Sequence, residues 1–199
     1  MNAQRNQVLG LLGVLGSLLW LSLNTVLSPD WGPPGSTDYL GYETVNRLWA
    51  PAFALMLCGF VGLYQRYPLR RTRLGRVGFR LAVTGLVLML AGNIAEFWLF
   101  SAQPYGELNG RNLAWIVVLL GMLSVLIGAA LFGLAGLRHQ SLPRLASGLF
   151  LLTLPAALIL IVSVVELMGV PLVAAGLLAG ALAAWPSAGA LTAKGSSLT

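Results

Sequence analysis

The stretch LAVTGLVLMLAGNIAEFWLFS, residues Leu81–Ser101, decides the fold of this chain. A helix needs about 20 apolar residues to cross a bilayer, and this stretch supplies them with a single charged residue, Glu96. A carboxylate at such a depth costs roughly 2.5–3.5 kcal/mol on insertion scales unless it has a partner, a proton or water. The stretch therefore predicts a transmembrane helix, and it also predicts that another part of the fold stabilises Glu96.

Composition places the whole chain in the membrane class. Of its 199 residues, 57% are hydrophobic and 9% are charged, whereas soluble domains carry about 25% charged residues. The net charge of +6 does not indicate nucleic-acid binding, because the basic residues lie in short segments between apolar runs. The single cysteine, Cys58, cannot form an intrachain disulfide and is expected to pack as a small apolar residue. Arginine greatly outnumbers lysine, which favours a bacterial source.

Six apolar segments predict an all-α, polytopic membrane bundle that forms a single integral membrane domain over residues 1–199. The predicted spans one to six are residues 8–27, 48–64, 81–101, 113–137, 146–165 and 170–185. The last two spans share one nearly unbroken apolar region, in which Glu166, Gly169 and Pro171 supply the turn residues. Five spans with a re-entrant tail are the alternative.

The distribution of charge predicts the orientation of the spans. Loop 65–80 is rich in arginine, Arg138 and Arg144 follow span four, and Arg5 and Lys194 flank the two ends. With six spans these residues share one side, which the positive-inside rule assigns to the cytoplasm. Both termini are then cytoplasmic, and residues 29–47 form an outer loop. The acidic residues all fall in the outer half or on the outer side: Asp30, Asp38, Glu43, Glu96, Glu107 and Glu166. Trp98 belongs to an outer aromatic belt.

Small residues and prolines predict how the spans pack. Gly176, Gly180 and Ala184 are spaced by four in span six, which favours close helix contacts within the chain, or a homodimer face as the alternative. Pro51 and Pro155 lie inside spans two and five, where each removes a backbone hydrogen bond and is expected to kink the helix.

The arginine-rich loop is expected to contact anionic lipid head groups, because the positive-inside rule already requires its charges. A docking site for an acidic cytoplasmic partner is the alternative. The six arginines concerned are Arg66, Arg70, Arg71, Arg73, Arg76 and Arg80.

The predicted topology brings polar residues from four spans to a similar outer depth. Glu43, Asn46 and Arg47 open span two at helical spacing, and Asn93 and Glu96 are three residues apart in span three. We call the full set the predicted outer cluster: Asn24, Glu43, Asn46, Arg47, Asn93, Glu96 and Glu166.

Three arrangements would satisfy Glu96. It pairs with Arg47 across spans two and three, or it is protonated because desolvation disfavours its charged form, or it faces a water-filled vestibule. Glu43 competes for Arg47, since a glutamate four residues before an arginine is a favourable helical pair. Because Arg47 can fully neutralise only one of Glu43, Glu96 and Glu166, a surplus carboxylate is expected.

Motifs for catalysis, metals and cofactors are missing from the sequence. The single histidine, His139, lies in a predicted cytoplasmic loop, and no HExxH, GxSxG or phosphate-binding glycine loop occurs. We therefore predict no metal, no cofactor and no catalytic residue. The expected function is that of a non-enzymatic multi-pass protein of the cell membrane, in which the predicted outer cluster organises the bundle and binds a small ligand or a partner subunit. A proton- or cation-coupled transporter that uses Glu96 is the alternative.

Overall fold

The computed structural model describes residues 2–25, 42–105, 108–163 and 169–184, and these residues form helices and their connections. The α-helices are α1 (Asn2–Thr25), α2 (Tyr42–Arg47), α3 (Trp49–Arg66), α4 (Arg73–Ile94), α5 (Gly110–His139), α6 (Arg144–Ser163) and α7 (Gly169–Ala184). A 3₁₀ turn, Pro68–Arg71, precedes α4, and a π-helical turn, Ala95–Leu99, continues it. The all-helical prediction is confirmed for this part of the chain.

Helix α4 begins eight residues before the apolar stretch that predicted it. The Thr72 side chain caps the helix, since its Oγ1 accepts a hydrogen bond from the Gly75 N–H at 2.9 Å. Much of loop 65–80 is therefore helical. The physical reason is that an apolar run marks where hydrocarbon begins, whereas the cap decides where helical hydrogen bonding begins.

The second predicted span, residues 48–64, corresponds to α3, and the end of the predicted outer loop 29–47 forms the short helix α2, which a break at Leu48 separates from α3. Pro51 lies four residues after Arg47, so it offers no N–H to the Arg47 carbonyl, and its ring crowds that carbonyl. The interruption therefore has a local cause. Pro155 lies inside α6.

The helices form two groups. In the first group α1 packs against both α3 and α7, and in the second group α5 packs between α4 and α6. The Phe60 ring on α3 lies 6.1 Å from the Phe132 ring on α5, which lies 6.1 Å from the Phe150 ring on α6. These aromatic contacts join the two groups at the core.

Close backbone contacts hold the first group together. A Cβ on Gly10 would lie 2.3 Å from the Ala184 backbone nitrogen, and one on Gly176 would lie 2.3 Å from the Ser17 hydroxyl oxygen. A Cβ on Gly13 would lie 2.4 Å from the Gly59 Cα. The small residues of the first and last helices therefore make contacts within the chain.

Helices α4 and α5 are antiparallel and approach each other through a ladder of small residues. Gly78 faces Gly128, Gly85 faces Gly121, and Gly92 faces Ala114. Each step of seven residues along α4 thus matches a step of seven residues back along α5. Such a period is typical of left-handed helix pairs. This ladder sets the register in which the end of α4 meets the start of α5.

Four helical segments in the described part of the chain are long and apolar enough to cross a membrane: Gln4–Asn24, Glu43–Arg66, Arg73–Leu99 and Gly110–His139. Shorter apolar segments lie in α6 and α7. Large apolar side chains such as Leu15, Leu120 and Leu152 are exposed on the helix surfaces. Apolar surface of this extent suits contact with lipid.

Candidate functional site

The site lies at the end of α4, where the helix widens into the π-turn Ala95–Leu99. The Phe100 N–H donates to the Ala95 carbonyl at 2.9 Å, five residues back. Glu96 and Phe97 lie in this turn, and each exposes 2% of its surface. Single π-turns occur often at functional sites. Here the turn accommodates a buried carboxylate.

Glu96 accepts a hydrogen bond from the Tyr105 hydroxyl, whose oxygen lies 2.9 Å from Glu96 Oε1. Arg111, at the start of α5, supplies the positive charge that acts on Glu96 electrostatically. Since only 2% of Glu96 is exposed, its side chain does not line an open vestibule. Glu96 is thus stabilised by a hydrogen bond from a tyrosine and by the positive charge of a nearby arginine.

Arg111 is the centre of the arrangement, although it is only 7% exposed. Its Nη1 donates to the Ser101 carbonyl at 2.9 Å and to the Gln103 carbonyl at 3.2 Å. Its guanidinium carbon lies 3.9 Å from the centroid of the Tyr105 ring, and its Nη2 lies 3.7 Å from Glu43 Oε1. One guanidinium therefore connects α2 and α5 with the segment between α4 and α5.

The segment before α5 is held in place by its own polar contacts. Asn109 caps α5, since its Oδ1 accepts from the Asn112 N–H at 3.1 Å. The Asn109 amide also donates to the Pro104 carbonyl at 2.7 Å, and the Arg111 N–H donates to Gln103 Oε1 at 3.1 Å. These bonds fix the position of Tyr105 relative to Arg111.

Arg47 pairs with Glu43 and not with Glu96. Its Nη2 lies 3.5 Å from Glu43 Oε2, and its Nε donates to the Phe97 carbonyl in the π-turn at 3.1 Å. The guanidinium also lies 5.4 Å from the centroid of the Trp98 ring. Of the three arrangements considered for Glu96, the Arg47–Glu96 pair is not the one observed among the described residues, because Arg47 forms the competing helical pair with Glu43 within α2.

Asn93 links α4 to α2 below the charged groups. Its Nδ2 donates to the Asn46 carbonyl at 2.9 Å, and both asparagines are buried. Asn93 Oδ1 and Arg111 Nε are buried and have no hydrogen-bond partner among the described residues. Asn93 and Glu96, three residues apart, thus face α2 and the start of α5 together.

The structure brings together five of the seven residues of the predicted outer cluster. We call the set that it joins the observed cluster: Glu43, Asn46, Arg47, Asn93, Glu96, Tyr105 and Arg111. Asn24 is not part of this set, because its Nδ2 donates to the Trp20 carbonyl of its own helix at 2.7 Å. Glu166 lies outside the described residues.

Sequence reasoning missed Tyr105 and Arg111. The seven-residue ladder carries the signal for Arg111: Ala82, Met89 and Glu96 repeat at sevens on α4, and Val125, Val118 and Arg111 repeat at sevens on α5. All six residues are buried. The pairs Ala82/Val125 and Met89/Val118 run beside the glycine ladder, and one further step of seven along this second series sets Glu96 against Arg111.

Counting Arg111 changes the charge of the site. The observed cluster contains two carboxylates, Glu43 and Glu96, and two guanidiniums, Arg47 and Arg111. The expected surplus carboxylate is therefore not found among these groups. In the described part of the chain no group of three or more histidine, cysteine, aspartate or glutamate side chains could hold a metal ion.

Comparison with known proteins adds no relative: no family model, curated protein or solved structure matches this chain.

Proposed function

We propose that this protein is a non-enzymatic, six-span protein of a bacterial cytoplasmic membrane with both termini in the cytoplasm. The observed cluster then lies in the outer half of the membrane, where it joins α2, α4 and α5. The observation that carries the proposal is the burial of Glu96, which accepts a hydrogen bond from Tyr105 and lies in the electrostatic field of Arg111. A carboxylate satisfied in this way stabilises one arrangement of helices.

The exposed edge of the observed cluster supports binding of a partner membrane subunit. The Glu43 and Arg47 side chains are 48% and 39% exposed, and Trp98 and Tyr105 are exposed beside them. Tryptophan, tyrosine and arginine are the residues that most often dominate binding energy at protein interfaces. A partner subunit thus fits this edge better than a small ligand, which needs a concave pocket.

A double-mutant cycle on Glu96 and Arg111 tests the organising role. Arg111→Gln leaves Glu96 buried without its cation, so we expect a loss of about 3–5 kcal/mol in the free energy of unfolding. Glu96→Gln keeps an oxygen that can accept from Tyr105 and is expected to cost less. The double variant should recover at least about 1 kcal/mol relative to the sum of the single losses. Unfolding of the purified protein in detergent measures all three.

The transporter alternative predicts a different result. If Glu96 carries a proton or a cation, Glu96→Gln leaves stability unchanged and abolishes ion flux. Flux of protons or sodium into liposomes that contain the wild-type protein, lost in Glu96→Gln, would contradict the organising role. We expect no such flux, because the charges of the observed cluster balance internally.

A further inference from the structure

The exposed face of α4 carries an ordered series of residues from one end of the bundle to the other. Arg73, Arg76 and Arg80 are exposed over its first turns, and Trp98 is 60% exposed in the π-turn. Between them, at helical spacing, the same face exposes Thr84, Val87, Ala91 and Ile94. One face of one helix therefore runs from arginine through small or apolar residues to tryptophan.

The length of this face matches a bilayer. Arg80 and Trp98 are separated by about 27 Å at 1.5 Å per residue, and the hydrocarbon core of a bilayer is about 30 Å thick. Tryptophan favours the membrane interface, and arginine extends its charge to the head groups. Arg80 thus lies at the depth of the phosphates of one leaflet when Trp98 lies at the opposite interface.

The arginines of this face form no ion pair with any residue that the structure describes. The two ion pairs among the described residues both involve Glu43, at the other end of the bundle. The sequence has no acidic residue between Glu43 and Glu96. Arg66 differs from them, since it is half-buried and its Nη1 donates to the Ala183 carbonyl at 2.9 Å. The exposed arginines are therefore available to an external anion.

We propose that the exposed face of α4 binds an anionic phospholipid of the inner leaflet. Arg73, Arg76 and Arg80 hold its phosphate, and an acyl chain lies along Val87 and Ile94. A lipid suits this face better than an acidic cytoplasmic protein, because Arg80 lies about 10 Å further along the helix than Arg73, toward the apolar stretch. The proposal specifies one helix face and is independent of the role of the observed cluster; only the assignment to the inner leaflet rests on the proposed orientation.

Competition between two lipids with identical acyl chains tests the proposal. The full chain in a neutral detergent is mixed with phosphatidylglycerol and phosphatidylcholine, and native mass spectrometry counts the lipids retained. We expect the wild type to retain phosphatidylglycerol preferentially. Arg76→Gln/Arg80→Gln should lower this preference about 25-fold, that is, about fivefold for each arginine.

Arg138→Gln/Arg144→Gln is the matched control, because it removes the same charge from exposed arginines at the same end of the bundle but on α5 and α6. We expect it to change the preference less than about twofold. The proposal is overturned if both double variants lose the preference for phosphatidylglycerol equally, or if the wild type shows no such preference. Thermal unfolding checks that each variant is folded. If the double variant at Arg76 and Arg80 does not fold, the two single variants replace it, and each is expected to lower the preference for phosphatidylglycerol about fivefold.

The same preparation tests for an acidic protein partner. A polyglutamate peptide that binds the wild type more tightly than phosphatidylglycerol, and that loses this binding in Arg76→Gln/Arg80→Gln, overturns the proposal in favour of a protein. We expect the peptide to bind more weakly than the lipid.

Discussion

At the scale of single residues, Glu96 shows how a buried carboxylate is satisfied without a close ion pair. The Tyr105 hydroxyl donates a hydrogen bond to Glu96. The Arg111 guanidinium stacks on the ring of the same tyrosine, with its central carbon 3.9 Å from the ring centroid. The tyrosine thus serves both as a hydrogen-bond donor to the acid and as a π-face for the base. Removing its hydroxyl alone separates these two contributions.

Tyr105→Phe keeps the stacking with Arg111 and removes the hydrogen bond to Glu96. Because hydrogen bonds to charged groups contribute about 1.5–3 kcal/mol, we expect a loss of that order in the free energy of unfolding in detergent. Tyr64→Phe is the control, since the Tyr64 ring stacks on Phe79 at 3.9 Å and no hydrogen bond of its hydroxyl is found among the described residues. A Tyr105→Phe variant as stable as Tyr64→Phe would show that Glu96 does not need the tyrosine.

At the scale of helices, the α4–α5 ladder is the element on which the site depends. Gly85 and Gly121 meet at its middle: a Cβ on Gly85 would lie 2.5 Å from the Gly121 carbonyl oxygen and 2.8 Å from the Val125 backbone nitrogen. Neither atom can move without moving its helix. A larger residue at this position therefore displaces Arg111 relative to Glu96, although it touches neither.

Gly85→Ala is expected to destabilise the protein by about 1–3 kcal/mol, the usual cost of overpacking. Gly148→Ala on α6 is the matched control, because a Cβ there meets no heavy atom within 4 Å. The control should be neutral or stabilising, since alanine favours a helix by up to about 1 kcal/mol over glycine. Thermal unfolding in detergent compares the two. Equal stability of both variants would mean that α4 and α5 are not packed as closely as the ladder requires.

At the scale of the whole molecule, the two ends of the bundle differ in charge. The described carboxylates, Glu43 and Glu96, lie at one end with Arg47 and Arg111, and the exposed arginines of α4 lie at the other end. By the positive-inside rule we propose that the arginine-rich end lies in the cytoplasm. Contact with the aqueous phase on each side provides a direct test.

Single cysteines in a Cys58→Ala background report the side of each segment. We expect Ser36→Cys to react with a membrane-impermeant maleimide in intact cells. His139→Cys and Ser197→Cys should react only after the membrane is permeabilised. Labelling of Ser197→Cys from outside would instead favour five spans with a re-entrant tail. Unlabelled Ser36→Cys would contradict the proposed orientation.

Some features of this protein follow from the order of its residues alone. The helical class follows from the length of its apolar runs, because a backbone in hydrocarbon must satisfy its hydrogen bonds within the segment. The shared helix face of Asn93 and Glu96 was also predictable, since the two residues are three apart. The helix start at Thr72 was not, since hydropathy is insensitive to a cap.

Tertiary structure decided which cation Glu96 meets. The sequence presents two outer arginines, Arg47 and Arg111, and local spacing alone favours Glu43 as the partner of the first. The seven-residue repeats on α4 and α5 are visible in the sequence, but they predict a contact only once these two helices are known to be neighbours. Tyr105 carries no periodic signal, because it lies between helices. Its position depends on Arg111, which holds the Ser101 and Gln103 carbonyls. The stretch Leu81–Ser101 therefore determined that a buried acid must be satisfied, and the packing of α5 against α4 determined how.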